Sequence, residues 1–313
     1  MGDVIIETKN LTKRFKKVTA VDRLNLSVEE GEIFGLVGPD GAGKTTTIRL
    51  LAAIMNPTDG KATVAGYDTV KEGEEIKKLI GYMPQKFSLY GDLSAMENLG
   101  FFADIFNVRG AEREERMGSL LRFSRLEGFR GRRADHLSGG MQKKLALACT
   151  LVHKPRVLLL DEPTTGVDPI SRREFWDILS SLHLEGVTLL VSTPYMDEAE
   201  RCSRVGLMFE GRLIVCDEPE DIKGLVRDEV IELRPHPIMQ ARRIIEGWEQ
   251  VKGAQVYGDL IHLFVEDAQS SMPQLKAIME AQGVTVEGLR QIRPRMEEAF
   301  VSLIKEATRR AEE

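Results

Sequence analysis

The sequence predicts an α/β fold built on a buried parallel sheet, followed by a smaller α+β domain. Three observations predict it. The apolar runs Ile33-Phe34-Gly35-Leu36-Val37 and Val157-Leu158-Leu159-Leu160 have the length and continuity of strands buried on both faces. A glycine-rich segment follows the first run and two carboxylates follow the second, at the strand ends where open α/β sheets bind ligands. After about residue 224 the texture changes to short strands and helices in β-α-β-β-α-β order. At 313 residues the chain is long for one ordinary domain, so two are expected, residues 1–224 and 225–313.

The glycine-rich segment is Gly38-Pro39-Asp40-Gly41-Ala42-Gly43-Lys44-Thr45-Thr46, which fits G-x-x-x-x-G-K-[ST] without a gap. Glycines let such a loop wrap tightly and turn its N–H groups toward a phosphate chain. A helix expected over 46–54 adds its positive dipole end. Lys44 would reach the β- and γ-phosphates of ATP, and the Thr45 hydroxyl would hold Mg²⁺. At the end of the second strand, Asp161 is placed to hold Mg²⁺ through water and Glu162 to act as general base on an attacking water.

Residues 92–136 are rich in charge and lack β-branched runs. Leu93, Met96, Leu99, Phe102, Ala103, Ile105 and Phe106 recur at helical spacing, and 111–121 and 137–152 also read as helices. The last of these opens with Leu137-Ser138-Gly139-Gly140-Met141-Gln142, upstream of the acidic strand end.

An LSGG sequence between a phosphate loop and an acidic-ended strand resembles the ATP-binding cassette (ABC) ATPases, whose signature loop is LSGGQ. Here Met141 takes the fifth place and Gln142 follows. The resemblance runs over residues 4–218. It implies a P-loop cassette with a RecA-like core, an antiparallel β subdomain and a helical subdomain at about 86–150 that receives a membrane permease. It also implies a dimer, because Ser138, Gly139 and Gly140 complete a partner subunit's ATP site. Gln85, in Gly81-Tyr82-Met83-Pro84-Gln85, resembles the glutamine that reaches the metal and links nucleotide state to the permease. Phe15 resembles the aromatic that stacks on adenine, a contact that needs only a ring face. Asp168, in Gly166-Val167-Asp168, resembles the acidic residue that crosses the dimer interface.

Two departures stand out. In Val191-Ser192-Thr193-Pro194-Tyr195-Met196-Asp197-Glu198-Ala199-Glu200, Pro194 occupies the place of the family's switch histidine, which contacts the γ-phosphate. Proline has neither a side-chain donor nor an N–H. Slow hydrolysis at this chain's own site is therefore expected, unless Ser192 or Thr193 supplies the contact. The smaller departure is Asp40, where the family usually has asparagine; at a solvated rim its charge is screened.

In the C-terminal part, 230–233 reads as a strand, and Ile238, Ala241, Ile244, Ile245 and Trp248 form a helical stripe. Gly258-Asp259 marks a hairpin between Val256-Tyr257 and 260–265. A helix through Met272, Leu275, Ile278 and Met279, a strand near 284–292 and a last helix over 295–307 complete a ferredoxin-like pattern. Pro294-Arg295-Met296-Glu297-Glu298-Ala299-Phe300 resembles the end of the accessory domain of ABC-2-type (drug- or multidrug-like) exporter ATPases. His236 and His262 are expected to be surface or strand residues, since neither has a Cys or His partner nearby in sequence.

Composition narrows the alternatives. A formal net charge of -6 weighs against a nucleic-acid partner. Cys149, Cys202 and Cys216 show no C-x-x-C spacing, pointing to a reduced compartment and no zinc. The longest apolar runs, such as 145–152, fall short of the ~18 residues of a membrane span, and no signal peptide is expected. The resemblance thus implies an ATPase subunit of an ABC-2-type exporter at the cytoplasmic face of the membrane, binding ATP and Mg²⁺, with a second cassette and an integral membrane permease as partners. The alternatives are a non-transport ABC ATPase on ribosomes or DNA, and a mainly regulatory nucleotide-binding subunit.

Overall fold

A computed structural model describes residues 2–86 and 89–312. The chain forms two compact units that divide after Pro219, not after residue 224. The short helix Pro219–Gly224 begins at that boundary. Its polar sequence differs little from the preceding loop, so the change of texture shows only past its end.

The first unit opens with a long hairpin, β1 (Val4–Phe15) and β2 (Val18–Glu29), turned at Lys16. After β3 (Ile33–Val37) and helix α1 (Lys44–Leu51), strands β4 (Asp59–Val64) and β5 (Tyr67–Asp68) complete an antiparallel sheet in the order β2-β1-β4-β5. Helix α2 (Gly73–Leu79) leads into β6 (Ile80–Met83). Three helices follow: α3 (Ala95–Ile105), α4 (Gly110–Phe123) and α5 (Gly139–Thr150). Ser94 and Glu97 form a reciprocal capping box at α3, satisfying two helix-end N–H groups that a helix cannot satisfy itself. Leu99, Ala103, Met117, Leu121, Leu145 and Val152 are among the residues that give these helices a core of their own. Met141, in the place of the signature glutamine, packs against it.

The central sheet is completed by β7 (Val157–Asp161), helix α6 (Pro169–Leu184), β8 (Thr188–Thr193), helix α7 (Met196–Ala199), β9 (Arg204–Phe209) and β10 (Arg212–Asp217). Its order is β10-β9-β3-β8-β7-β6, parallel except for the β9–β10 hairpin. Every residue of β3, β7 and β8 is buried, which explains the apolar runs at 33–37, 157–160 and 189–191 and leaves polar side chains only at strand ends. Phe34, Leu36, Leu159 and Leu190 share one core with Ile48 and Leu51 of α1 and with Ile6, Leu24 and Val64 of the antiparallel sheet.

Helix α1 starts at Lys44, before the expected residue 46. Gly43 adopts φ 105°, a left-handed conformation that hands the chain directly into the helix. Close approach demands glycine there as well, since a Cβ on Gly43 would lie 2.3 Å from the Ala20 carbonyl oxygen.

After α8 (Pro219–Gly224), the second unit runs β11 (Glu229–His236), α9 (Ile238–Glu246), β12 (Val251–Tyr257), β13 (Leu260–Val265), α10 (Ala268–Ala281), β14 (Thr285–Ile292) and α11 (Met296–Glu312). Its antiparallel sheet has the order β12-β13-β11-β14, the arrangement of a split β-α-β plait. Tyr257 pairs with Leu260 across the Gly258-Asp259 turn. Ile231, Leu233, Ile261 and Leu263 share one core with Ala241, Ile245, Leu275 and Met279 of α9 and α10.

Strand alternation turns Glu232 and His262 to the opposite face. His262 is a strand residue, as expected, but it is buried between two carboxylates. Its Nδ1 lies 2.6 Å from Glu298 of α11 and its Nε2 3.4 Å from Glu232. Sequence spacing hid this because the partners come from a distant strand and the last helix. Arg290 pairs with Glu232 at 2.7 Å, and the guanidinium holds that carboxyl below its ordinary range against the opposing effect of burial. Glu298→Ala should leave the buried imidazole without its closer partner and cost on the order of 1–3 kcal/mol. Hydrogen exchange is expected to be faster in α11 than in α9, and unchanged exchange in α11 would show that this contact does not hold the helix.

Candidate functional site

Strand register gathers the predicted residues. Val37 pairs with Thr193, Asp161 with Ser192, and Met83 with Leu160, so four parallel strands end at one edge. The loop from Gly38, the Gln85 segment, Asp161-Glu162 and Thr193-Pro194 all leave the sheet there, at the C-terminal edge.

Gly38 through Gly43 form the turn into α1. Asp40 and Gly41 are exposed at its crown, Pro39 is half-buried, and Ala42 is buried. Lys44 is 3% exposed, and its ammonium donates to the carbonyl oxygens of Gly38 (2.7 Å) and Pro39 (3.0 Å). It also faces Glu162 Oε1 at 3.5 Å. Thr46 is half-buried in the first turn of α1.

The acidic pair is held from several directions. Thr45 Oγ1 and Ser192 Oγ both donate to Asp161 Oδ1, at 3.0 and 2.8 Å. The Glu162 N–H donates in turn to Ser192 Oγ at 3.0 Å. Gln85 Nε2 donates to Glu162 Oε2 at 2.7 Å, and Thr165 donates to the same oxygen at 3.2 Å. Glu162 itself sits at φ 46°, a left-handed conformation that costs a non-glycine residue energy and that clusters at working sites. Burial raises the Asp161 carboxyl above its ordinary range, while the Ser192 and Thr45 hydroxyls pull it down. Burial lowers Lys143 on α5, opposed by the nearby charges of Asp161 and Glu162.

Neither hydroxyl next to Pro194 is free. Ser192 bridges Asp161 and the Glu162 N–H, as above. Thr193 donates to Glu198 Oε2 at 2.7 Å and accepts from the Tyr195 N–H at 3.0 Å. Glu198 is buried and also takes the Thr164 hydroxyl at 2.6 Å and the Arg172 guanidinium at 3.2 Å.

Other predicted residues are not drawn into this cluster. Ser138 caps α5 by accepting from the Met141 N–H at 3.3 Å, and with Gly139 it is exposed. Gly140 packs against the start of α6, where a Cβ would lie 2.5 Å from the Ser171 side chain. Asp168 is exposed and caps α6 by accepting from the Ile170 and Ser171 N–H groups at 3.1 and 2.9 Å. Bonds from Ser171 hold its carboxyl below the ordinary range. Phe15 is 44% exposed at the β1–β2 turn, with Lys13 Nζ 5.3 Å from its ring centroid. Among the described residues, none of these hydrogen-bonds to Lys44, Gln85, Asp161 or Glu162.

Sequence reasoning missed Lys143, Thr165 and Glu198. All three look like ordinary solvated polar residues when only neighbours in the chain are considered.

The same cluster can be tested for a metal. Among the described residues no group of three or more His, Cys, Asp or Glu could hold an ion. Magnesium here would take protein oxygens from Asp161 and Thr45 and complete its shell with phosphate and water, as this hard cation commonly does. The donor set fits, because Asp161 Oδ2 is buried without a hydrogen-bond partner. A carboxyl raised by folding binds protons more tightly in the folded chain, so its contribution to stability falls as pH rises from 3.8 through the raised value. Asp161→Asn should therefore stabilise the nucleotide-free chain at pH 7, with the gain shrinking toward pH 4. Thermal melts at the two pH values check this, and an equal gain at both would refute it.

Comparison with known proteins agrees with this geometry. The ABC transporter family matches residues 21–165. The chain is 42% identical over 309 residues to the probable multidrug ABC transporter ATP-binding protein YbhF of Escherichia coli K12, a match covering 97% of this chain and 53% of that protein. The chain thus spans about half the length of that relative. It is 32% identical to the daunorubicin resistance ATP-binding protein DrrA2 of Streptomyces coeruleorubidus, over 100% of this chain and 98% of that one. Among solved structures, an ATP-binding cassette captured as a dimer in a post-hydrolysis state with ADP and Pi superposes with a TM-score of 0.63 at 29% identity, covering 68% of this chain and 98% of that one. With the cassette fold in place and this likeness running along the whole of a relative such as DrrA2, the chain belongs to the ABC transporter family of ATP-binding proteins.

Proposed function

We propose that this chain is the ATP-binding and ATP-hydrolysing subunit of an ABC-2-type exporter, paired head-to-tail with a second cassette and driving a separate membrane permease. The observation that carries this reading is a division of labour within one chain. Lys44, Gln85, Asp161 and Glu162 form one buried-to-edge cluster, while Ser138 and Gly139 stand exposed elsewhere. An exposed helix N-terminus aims N–H groups outward at an anion, which suits a nucleotide held by a partner. The solved cassette dimer supports such pairing. The drug-related names of YbhF and DrrA2 support export of drug-like molecules. No helix among the described residues is long and apolar enough to cross a membrane. In this reading a membrane permease carries the cargo and holds this chain at the cytoplasmic face.

In this reading Gly38, Pro39, Asp40, Gly41, Ala42, Gly43 and Thr46 wrap the triphosphate. Lys44 exchanges the Gly38 and Pro39 carbonyls for β- and γ-phosphate oxygens. Thr45, Asp161 and Gln85 hold Mg²⁺, which when bound neutralises charge on the phosphates. Glu162, oriented by Gln85 and Thr165, takes the proton of the attacking water. Phe15 stacks on adenine, while Ser138, Gly139, Gly140 and Asp168 serve the partner's nucleotide.

Pro194 makes this site a slow one. The Ser192 and Thr193 hydroxyls are committed to Asp161 and Glu198, so neither stands in for the missing imidazole. That commitment also favours a second reading, in which this chain is mainly the half that completes a faster partner's site. Pro194→His should raise steady-state ATP turnover of the purified chain on the order of 10²-fold, the usual worth of one preorganised donor. An unchanged rate would end the slow-site reading. Co-purification from native membranes should recover a permease, and recovery on ribosomes without one would overturn the exporter assignment.

A further inference from the structure

Lys143 is buried and has no part in the chemistry so far. It lies on α5, about one and a half helical turns past Ser138. It is 9% exposed, and its ammonium donates at 2.7 Å to the main-chain carbonyl oxygen of Gln85. Lys144 beside it pairs conventionally with Glu174 at 2.7 Å. Burying a cation costs free energy, and here burial lowers the Lys143 ammonium's pKa while the charges of Asp161 and Glu162 offset part of that effect. The acceptor it uses is informative. Gln85 is itself an exposed residue just past β6, and its side chain reaches back to Glu162. A continuous chain of contacts results, from Lys143 to the Gln85 carbonyl, from the Gln85 amide to Glu162, and from Glu162 to Lys44.

We propose that Lys143 is a positioning residue for hydrolysis. By anchoring the main chain at Gln85, it keeps the Gln85 amide on the Glu162 carboxylate and so holds that carboxylate in place to accept a proton from water. This rests on the roles given above to Gln85 and Glu162. Lys143 would act through the Gln85 main chain, to which its ammonium is bonded. The groups that bind the triphosphate, from Gly38 to Thr46, are held by contacts of their own: the Gly43 turn, the Thr47 hydroxyl on the Gly43 carbonyl at 3.0 Å, and the Gly211 N–H on the Ala42 carbonyl at 3.0 Å. Loss of the Lys143 donor should therefore slow chemistry while leaving binding nearly intact.

The test uses the full chain with Lys143→Met, which keeps the apolar stem and removes the donor, and Lys143→Arg, which keeps a cation and its donors. Calorimetry with ATP and Mg²⁺ gives Kd. Single-turnover hydrolysis with the chain in excess over ATP gives a rate, even for a slow site. The expected result is a Kd within about 3-fold for both variants, a rate about 10–100-fold lower for Lys143→Met, and recovery to within about 5-fold for Lys143→Arg. A wild-type rate in Lys143→Met overturns the proposal, as does a parallel loss of affinity, rate and melting temperature, which would mark Lys143 as merely structural. If neither the wild type nor Pro194→His hydrolyses ATP, the hydrolysis reading fails separately. Hydrogen exchange over 81–86 then decides the anchor: faster exchange in Lys143→Met, reversed in Lys143→Arg, upholds it, and unchanged exchange sinks it.

Discussion

Two adjacent carboxylates, Asp161 and Glu162, are buried at the end of β7, and the first unit is organised around satisfying them. An unpaired buried carboxylate is costly. The chain answers with hydroxyls from α1 and β8 on Asp161, and with an amide, a hydroxyl and an ammonium on Glu162. These partners come from β8 and from the segments that follow β3, β6 and β7, and they meet because the four strands are parallel and in register, ending together. One acceptor on the pair, Asp161 Oδ2, is buried without a partner, and a hard cation would complete the set.

The region after β8 is held by a different anchor. There Pro194 follows a threonine whose hydroxyl is turned to Glu198. Glu198 also receives Thr164 from the loop after β7 and Arg172 from α6. Arg172 packs over the Tyr195 ring at 4.7 Å, adding a cation–π contact. The segment bearing Pro194 is thus fastened to α6, the helix that Asp168 caps. That fastening runs through side chains other than that of residue 194.

The second unit solves a related problem with fewer means. One face of its sheet is apolar and covered by α9 and α10, as binary patterning requires. The other face buries Glu232, His262 and Glu298, with Arg290 on the outer side of Glu232. A small polar network accompanies the buried apolar Met296 and Ala299 of α11. Its members lie on β11, β13, β14 and the last helix, so docking of that helix depends on the whole sheet being assembled.

Much of this protein was legible in the sequence because its signals are local. The glycine-rich turn at 38–43, the apolar run before Asp161-Glu162, the Ser138 cap of α5 and the Gly258-Asp259 turn each lie within a few consecutive residues, where backbone conformation is set by neighbours. Pro194 was legible for the same reason, since what proline lacks is a property of proline itself. Tertiary structure alone decided which side chains meet. Lys143 and Gln85 are far apart in sequence, as are Thr193 and the Thr164 that shares Glu198 with it, and His262 and Glu298. Each of these contacts depends on strand register or helix docking, and burial sets their energetics. A lysine, a glutamate or a histidine reads as solvated in sequence, and becomes an anchor only when the fold removes water from around it.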